Sequence, residues 1–341
     1  MVAAPALGRR LVWAAIVVCV TGFALAPVVL SHDVYSYVDY ARLGVRHGLD
    51  PYVHPPLAVP QDPAYAEVTW TEATSAYGPL FTLATYPLAW LPVGLAVAVL
   101  KAVAALSVLG IAAVVSRLAV ARGIDPLRAA AFVALNPLVL VHVVGGGHND
   151  GLTMLLAMLA VAAILSGREA AGGTALVAAM ATKAGAAFIA PFALVGSTRR
   201  IRFLAGALGA GAAIAIAAQL AFGWDWLGGL GLAGENQSRT SHMSIPITTG
   251  RLTGLDPDAV RLAAAILFAA TIAWLLAWTW RGGDWVSAAG WAALALLLAT
   301  AWLLPWYLIW LLPLAAISRD RPLQLLSLAL TAYQLGARIP L

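Results

Sequence analysis

The run LVWAAIVVCVTGFALAPVVL (Leu11–Leu30), followed at once by SHDVYSYVDYAR (Ser31–Arg42), decides how this chain is read. Roughly 20 apolar residues suffice for a helix to cross the hydrocarbon core of a bilayer, and the first run supplies that length. A carboxylate, Asp33, then stands at the mouth of the span and opens a loop dense in Tyr, Asp, Arg, His and Pro. A helix-capping residue would more usefully precede a helix than stand at the end of a lipid span. Asp33 therefore resists a purely structural reading and marks the floor of a candidate active site.

The apolar character continues along the chain. Of 341 residues, 62% are hydrophobic and 10% charged, with a mean hydropathy of +0.88, where a soluble domain carries about 25% charge. The apolar runs are continuous rather than alternating, which predicts helices, and helices satisfy their own backbone in lipid. The expectation is an all-α polytopic membrane protein, one transmembrane domain over residues 1–341. The first run lacks a small-residue cleavage site and is read as a retained helix. Cys19 is the only cysteine, so neither an intramolecular disulfide nor a cysteine metal cluster arises.

Eleven spans are predicted: 11–30, 95–116, 129–144, 151–166, 173–183, 186–196, 203–222, 259–280, 286–302, 306–317 and 323–336. With the N-terminus in the cytoplasm, the inner loops hold Arg9, Arg10, Arg117, Arg122, Arg128, Arg168, Arg199, Arg200, Arg202, Arg281, Arg319 and Arg321, which is 12 of the 20 basic residues. Only Asp125, Glu169, Asp284 and Asp320 accompany them, so the positive-inside rule selects this orientation. It also accounts for the net charge of +5 without a nucleic-acid partner. Residues 172–197 are too long for one crossing and too short for two, and two half-helices meeting near Lys183–Gly185 are expected. Irregular backbone at that depth needs protein or a watery cavity around it. The polar segments, chiefly the loops 31–94 and 223–258, all fall outside.

Within the first outer loop, Asp33, Ser36, Tyr37 and Tyr40 share one helical face, and Asp39 is spaced for an ion pair with Arg42. The structural alternative is an interfacial helix with its tyrosines in the headgroup belt. Tyr77-Gly-Pro reads as a turn before a second interfacial helix over 79–90. Gly145-Gly-Gly-His148-Asn149-Asp150 supplies either a helix N-cap or a hydrogen-bonding cluster suited to sugar hydroxyls. Lys183, one of two lysines, is either a snorkelling residue or a phosphate ligand at the cavity rim; Lys101 reads as a snorkeller. Arg239 and His242 stand in the second outer loop as further phosphate candidates, and Trp306 in Trp302-Leu-Leu-Pro-Trp-Tyr307 as belt aromatic or sugar-stacking face. No nucleotide loop or zinc spacing is present, and the inner loops are too short to build a nucleotide site.

Ser31-His-Asp-Val-Tyr-Ser-Tyr37, Gly48-Leu-Asp-Pro-Tyr52, Tyr77-Gly-Pro-Leu80, Asn136-Pro-Leu138, Gly147-His-Asn-Asp150, Thr182-Lys-Ala184 and Leu304-Pro-Trp-Tyr307 occur in order along the chain. In this series the chain resembles the GT-C glycosyltransferases, and within them the actinobacterial polyprenol-phosphate-mannose-dependent α-1,6-mannosyltransferases. The resemblance implies a GT-C-like bundle at the plasma membrane, working outside the cytoplasm on a polyprenyl-phosphate sugar and a glycan or glycolipid acceptor, with inversion. It implies Asp33 as general base, Lys183 as stabiliser of the departing phosphate, and His148, Asn149 and Asp150 as orienting sugar or acceptor; the residue pattern adds Arg239 and His242 as phosphate candidates and Tyr37, Tyr77 and Trp306 as sugar or acceptor candidates. No cofactor is implied; some GT-C enzymes use a divalent metal, for which one carboxylate is thin support. The alternatives are transfer of another sugar, such as arabinofuranose, and a lipid or sugar transporter. A transporter would place its site at the midplane between repeats; this chain shows no evident repeat.

Overall fold

The computed structural model describes residues 8–28, 30–235 and 239–336, which are helical with no strand among them. Val29 of the first apolar run and Asn236, Gln237 and Ser238 of the second outer loop lie outside the described residues. The first helices are α1 (Arg9–Leu25), α2 (Asp33–Arg46), α3 (Pro79–Thr85), α4 (Val93–Ala121) and α5 (Pro126–Ala134). A π-helical turn, Val139–Gly145, leads to α6 (Asp150–Leu165) and α7 (Glu169–Thr182). A 3₁₀ turn over Ala184–Ile189 leads to α8 (Ala190–Gly196), α9 (Arg200–Phe222), α10 (Gly228–Glu235), α11 (Ile245–Thr253) and α12 (Pro257–Trp280). The chain closes with α13 (Trp285–Ala299), a 3₁₀ turn at Pro305–Tyr307, α14 (Leu308–Ala316) and α15 (Arg321–Gly336).

Among the described residues three helices, α4, α9 and α12, are long and apolar enough to cross a membrane. A fourth span results if α5 and the following π-helical turn, bent by 64°, are taken together. The eleven expected spans are not confirmed: three or four pass by length, and other apolar runs form shorter helices such as α6 and α13. The apolar runs are there, but breaks in the backbone divide them. Between α5 and the π-helical turn, the Asn136 side chain accepts from Leu138 N–H at 3.0 Å and donates to Thr331 Oγ1 at 3.1 Å. Hydropathy counts apolar residues and does not locate such breaks. The expected second outer loop likewise contains two helices, α10 and α11.

The buried core runs through α4, α5, α6, α13 and α14. In its most apolar stretch α4 is 50% buried, against 11% for α9 and 6% for α12. The central helix packs on protein; the other two present Leu208, Leu220, Leu262 and Leu267 outward, as lipid-facing helices do. Helices α7 and α9 meet through glycine. A Cβ on Gly173 would lie 2.1 Å from the Phe203 carbonyl, and one on Gly206 2.0 Å from that of Ala170, the close approach that small residues permit between apolar helices.

The expected Asp39–Arg42 pair does not form. Arg42 Nε instead meets Asp62 Oδ1 at 2.7 Å, and His47 Nε2 meets Asp62 Oδ2 at 2.8 Å. Helical spacing permits an i,i+3 pair, but the folded-back loop offers Arg42 a carboxylate with better geometry. Asp39 stays buried with Oδ2 unpartnered. Burial, reinforced by the Asp62 charge, raises its pKa to about 7. A carboxyl raised in the folded state loses stability as pH climbs from its unfolded value to its folded one. Asp39→Asn is therefore expected to raise the thermal midpoint above pH 7 and to change little near pH 4. Identical shifts at both pH values would contradict this.

Candidate active site

A cavity of about 440 Å³ lies between the loop 31–94, the break after α7 and the turn before α14. Its lining includes Asp33, Tyr77, Lys183, Arg239 and Trp306. Each is placed by a local feature of the chain. Asp33 is the first residue of α2, where the helix dipole favours a carboxylate. Its N–H donates to Ser31 Oγ at 3.4 Å, and Trp70 Nε1 donates to Asp33 Oδ1 at 3.3 Å. The carboxylate keeps 16% of its surface exposed. Burial raises its pKa above the ordinary carboxylate value, opposed by the nearby Lys183 charge and the Trp70 hydrogen bond.

Lys183 sits at the expected break, with φ −155° and ψ 126° between α7 and the 3₁₀ turn. The carbonyl that the break exposes, Thr182 O, accepts from Gly78 N–H at 3.1 Å. Here the Tyr77-Gly78-Pro79 turn has a further role. Gly78 has an ordinary φ of −68°, but a Cβ there would lie 2.0 Å from the Ala181 carbonyl, so only glycine lets the loop seal the broken helix. Lys183 Nζ donates to Asp150 Oδ2 at 2.7 Å and lies 5.5 Å from the Tyr307 ring centroid. Asp150, fully buried, also accepts from Trp310 Nε1 at 2.8 Å. Neither Asn149 nor Asp150 serves as a side-chain cap of α6; Asp150 holds the lysine and α14 instead.

His148 lies behind the cavity wall rather than in it. Its ring is fully buried, stacks on Trp306 at 4.0 Å, and brings Nδ1 to 3.7 Å from Asp33 Oδ2. Burial and the nearby Lys183 charge lower its pKa well below the ordinary imidazole value, so it stands neutral beside the carboxylate. Gly147, at φ +66°, allows the tight turn that delivers it. Tyr37 is also buried; its hydroxyl lies 3.5 Å from Asn149 Oδ1 and its ring packs edge-on against Tyr77 at 4.7 Å. Asn149 is buried with Nδ2 unpartnered. His242 is exposed and stands away from the lining, its carbonyl accepting from Thr248. Lys101 is buried and donates to the Ala26 carbonyl, tying α4 to the end of α1.

Trp70 carries weight that sequence patterns did not assign, together with Trp302 of the aromatic 302–307 motif and Ser36 of the Asp33 face. The Arg239 guanidinium lies 4.8 Å from the Trp70 ring and 5.3 Å from the Trp302 ring, an arrangement that holds a cation without neutralising it. Ser36 also lines this space, with its Oγ buried and without a hydrogen-bond partner. A lone tryptophan in a polar loop carries no periodic signal, so only the fold shows that Trp70 touches both Asp33 and Arg239. Trp70→Phe keeps the ring and removes the N–H. It is expected to lower kcat/KM roughly tenfold, the scale of one hydrogen bond to a charged group. It should also move the acidic limb of the pH profile upward, because the lost bond favours the ionised carboxylate. An unmoved limb would reduce Trp70 to a packing residue.

Among the described residues no group of three His, Cys, Asp or Glu side chains is placed to hold a metal ion. Both oxygens of Asp150, a carboxylate near Asp33, are already engaged by Lys183 and Trp310. The cavity therefore joins one accessible, partly exposed carboxylate to two cations and a wall of indole and phenol rings. It can accept a proton at Asp33 and hold an anion at the cations beside it.

Comparison with known proteins bears on the same elements. The chain is 30% identical over 328 residues to alpha-(1->6)-mannopyranosyltransferase A of Mycobacterium tuberculosis, which covers 86% of this chain and 63% of that protein. It is 33% identical over 173 residues to alpha-(1->6)-mannopyranosyltransferase A of Corynebacterium glutamicum, covering 49% of this chain and 35% of that one. The chain thus spans less than two thirds of the length of these relatives. The family model described as alpha-(1->6)-mannopyranosyltransferase, N-terminal domain, matches residues 1–199, a stretch that holds Asp33, His148, Asp150 and Lys183. On that match over more than half its length, the chain belongs to the alpha-(1->6)-mannopyranosyltransferase family.

Proposed function

We propose that this chain is a membrane glycosyltransferase that moves mannose from a polyprenyl-phosphate donor to a glycan or glycolipid acceptor on the extracytoplasmic face, with inversion. The observation that carries this reading is that Asp33, Lys183 and Arg239 line one cavity walled by aromatic rings. A sugar ring stacks on such a wall, and a phosphate fits beside the two cations.

The chemistry is a single displacement. The acceptor hydroxyl oxygen forms a bond to the anomeric carbon, and Asp33 takes its proton. The bond from that carbon to the donor phosphate oxygen breaks with its electron pair, so the departing polyprenyl phosphate gains negative charge. Lys183 and Arg239 stabilise that charge where it develops. His148, neutral and packed between Trp306 and Asp33, lies 3.7 Å from the carboxylate and leaves it to take the acceptor proton.

The orientation follows from the charge asymmetry of the loops. Purified protein incubated with polyprenyl-phosphate-mannose and a mannoside acceptor should yield a mannosylated product and free polyprenyl phosphate. Transfer from a nucleotide-mannose but not from the lipid-linked donor would overturn the donor assignment.

A further inference from the structure

A second cavity, of about 870 Å³, lies between the α8–α9 loop and the α12–α13 turn. Its lining includes Ser197, Thr198, Arg199, Arg200, Arg202 and Trp280, and no Asp or Glu. Helix α7 locates it relative to the first cavity. The start of α7 holds this loop: Glu169 accepts from the Ser197 and Thr198 hydroxyls and from the N–H groups of Thr198 and Arg199. The end of α7 delivers Lys183 to the first cavity. Fourteen helical residues span about 21 Å, so the two cavities open at opposite ends of the bundle.

Among the described residues, the side chains of Arg199 and Arg202 have neither an ion pair nor a hydrogen bond. Arg200 donates to the Val195 carbonyl at 2.9 Å and lies 4.8 Å from the Trp280 ring. The two nearby carboxylates are engaged elsewhere: Glu169 accepts from the loop backbone and hydroxyls, and Asp284, between the lining residues Gly283 and Trp285, accepts from Arg122 and Ser287. Three cations thus face a concave space with no counter-charge in its wall. An arginine fork matches a phosphate oxygen pair, and Trp280 at the rim is the residue that settles at headgroup depth.

We propose that this cavity binds a phosphate ester, and that its source is the headgroup of an anionic glycerophospholipid in the surrounding bilayer. Basic pockets between spanning helices are suited to such headgroups. The site is remote from the transfer chemistry, and its occupancy does not depend on what the first cavity does.

The test uses the full chain in nanodiscs of phosphatidylcholine, with or without phosphatidylglycerol, read by lipid retention in native mass spectrometry and by thermal midpoint. Phosphatidylglycerol should be retained in preference to phosphatidylcholine and should raise the midpoint. Arg199→Gln with Arg202→Gln should weaken retention about 25-fold, a factor of roughly five for each charge removed, with an unchanged midpoint in phosphatidylcholine alone. Arg9→Gln with Arg10→Gln removes the same charge from the same face outside the cavity and should leave retention intact. Equal loss in both double variants would overturn the site in favour of diffuse surface charge, as would equal retention of the two lipids. Inorganic phosphate added to phosphatidylcholine discs separates the sources: a midpoint rise equal to that from phosphatidylglycerol would overturn the lipid assignment.

Discussion

Asp33→Asn is expected to lower mannosyl transfer at least about 100-fold, the low end for a lost general base, with expression and helical content unchanged. Asparagine keeps the shape of the side chain and an oxygen to accept from Trp70, so the loop is not disturbed; only the proton acceptor is gone. A base works deprotonated, and burial lifts the pKa of Asp33 above the ordinary carboxylate value. In the wild-type enzyme kcat/KM should therefore fall as pH drops through a limb above that value. Steady-state rates with the lipid-linked donor check both points. Turnover at the wild-type rate in the asparagine variant would remove Asp33 from the role.

Lys183→Met is expected to reduce donor use by about 100- to 1000-fold, the scale for losing one preorganised group that stabilises developing negative charge. Acceptor binding should change less. The substitution also strips the buried Asp150 carboxylate of its ion-pair partner, and an orphaned buried charge costs about 3–5 kcal/mol. Lys183→Met combined with Asp150→Asn removes both charges and should restore the thermal midpoint without restoring transfer. Loss of the lysine charge should also push the acidic limb of any residual activity upward, since that charge favours the ionised form of Asp33. Lys183→Arg, which keeps charge but changes reach, should retain partial activity. If the double variant uses donor as well as wild type, Lys183 is only the partner of Asp150, and Arg239 becomes the phosphate ligand to test.

Helical class, apolar character and the break at Lys183 were legible in the residues alone. Long aliphatic runs have only one way to satisfy their backbone in lipid, and a lysine flanked by alanine and glycine inside such a run announces itself by its desolvation cost. Asp33 was legible for the same reason: a carboxylate beside an apolar span has few structural uses. The number of crossings was not, because hydropathy does not locate the backbone breaks that shorten α5, α6 and α8.

Pairing was decided by the fold. Spacing offered Arg42 the nearby Asp39, yet the tertiary path of the loop gave it Asp62 and left Asp39 buried without that partner. Asp150 looked like a helix cap until α14 brought Trp310 and the α7 break brought Lys183 to its two oxygens. Gly78 looked like punctuation until the Ala181 carbonyl filled the space a Cβ would need. Apolar context and local charge are written along the chain, so composition and position suffice to single out Asp33 and Lys183 as candidates. Which donor meets which acceptor depends on groups 30 to 160 residues apart, and only the packed helices bring those groups within 3 Å or so of each other.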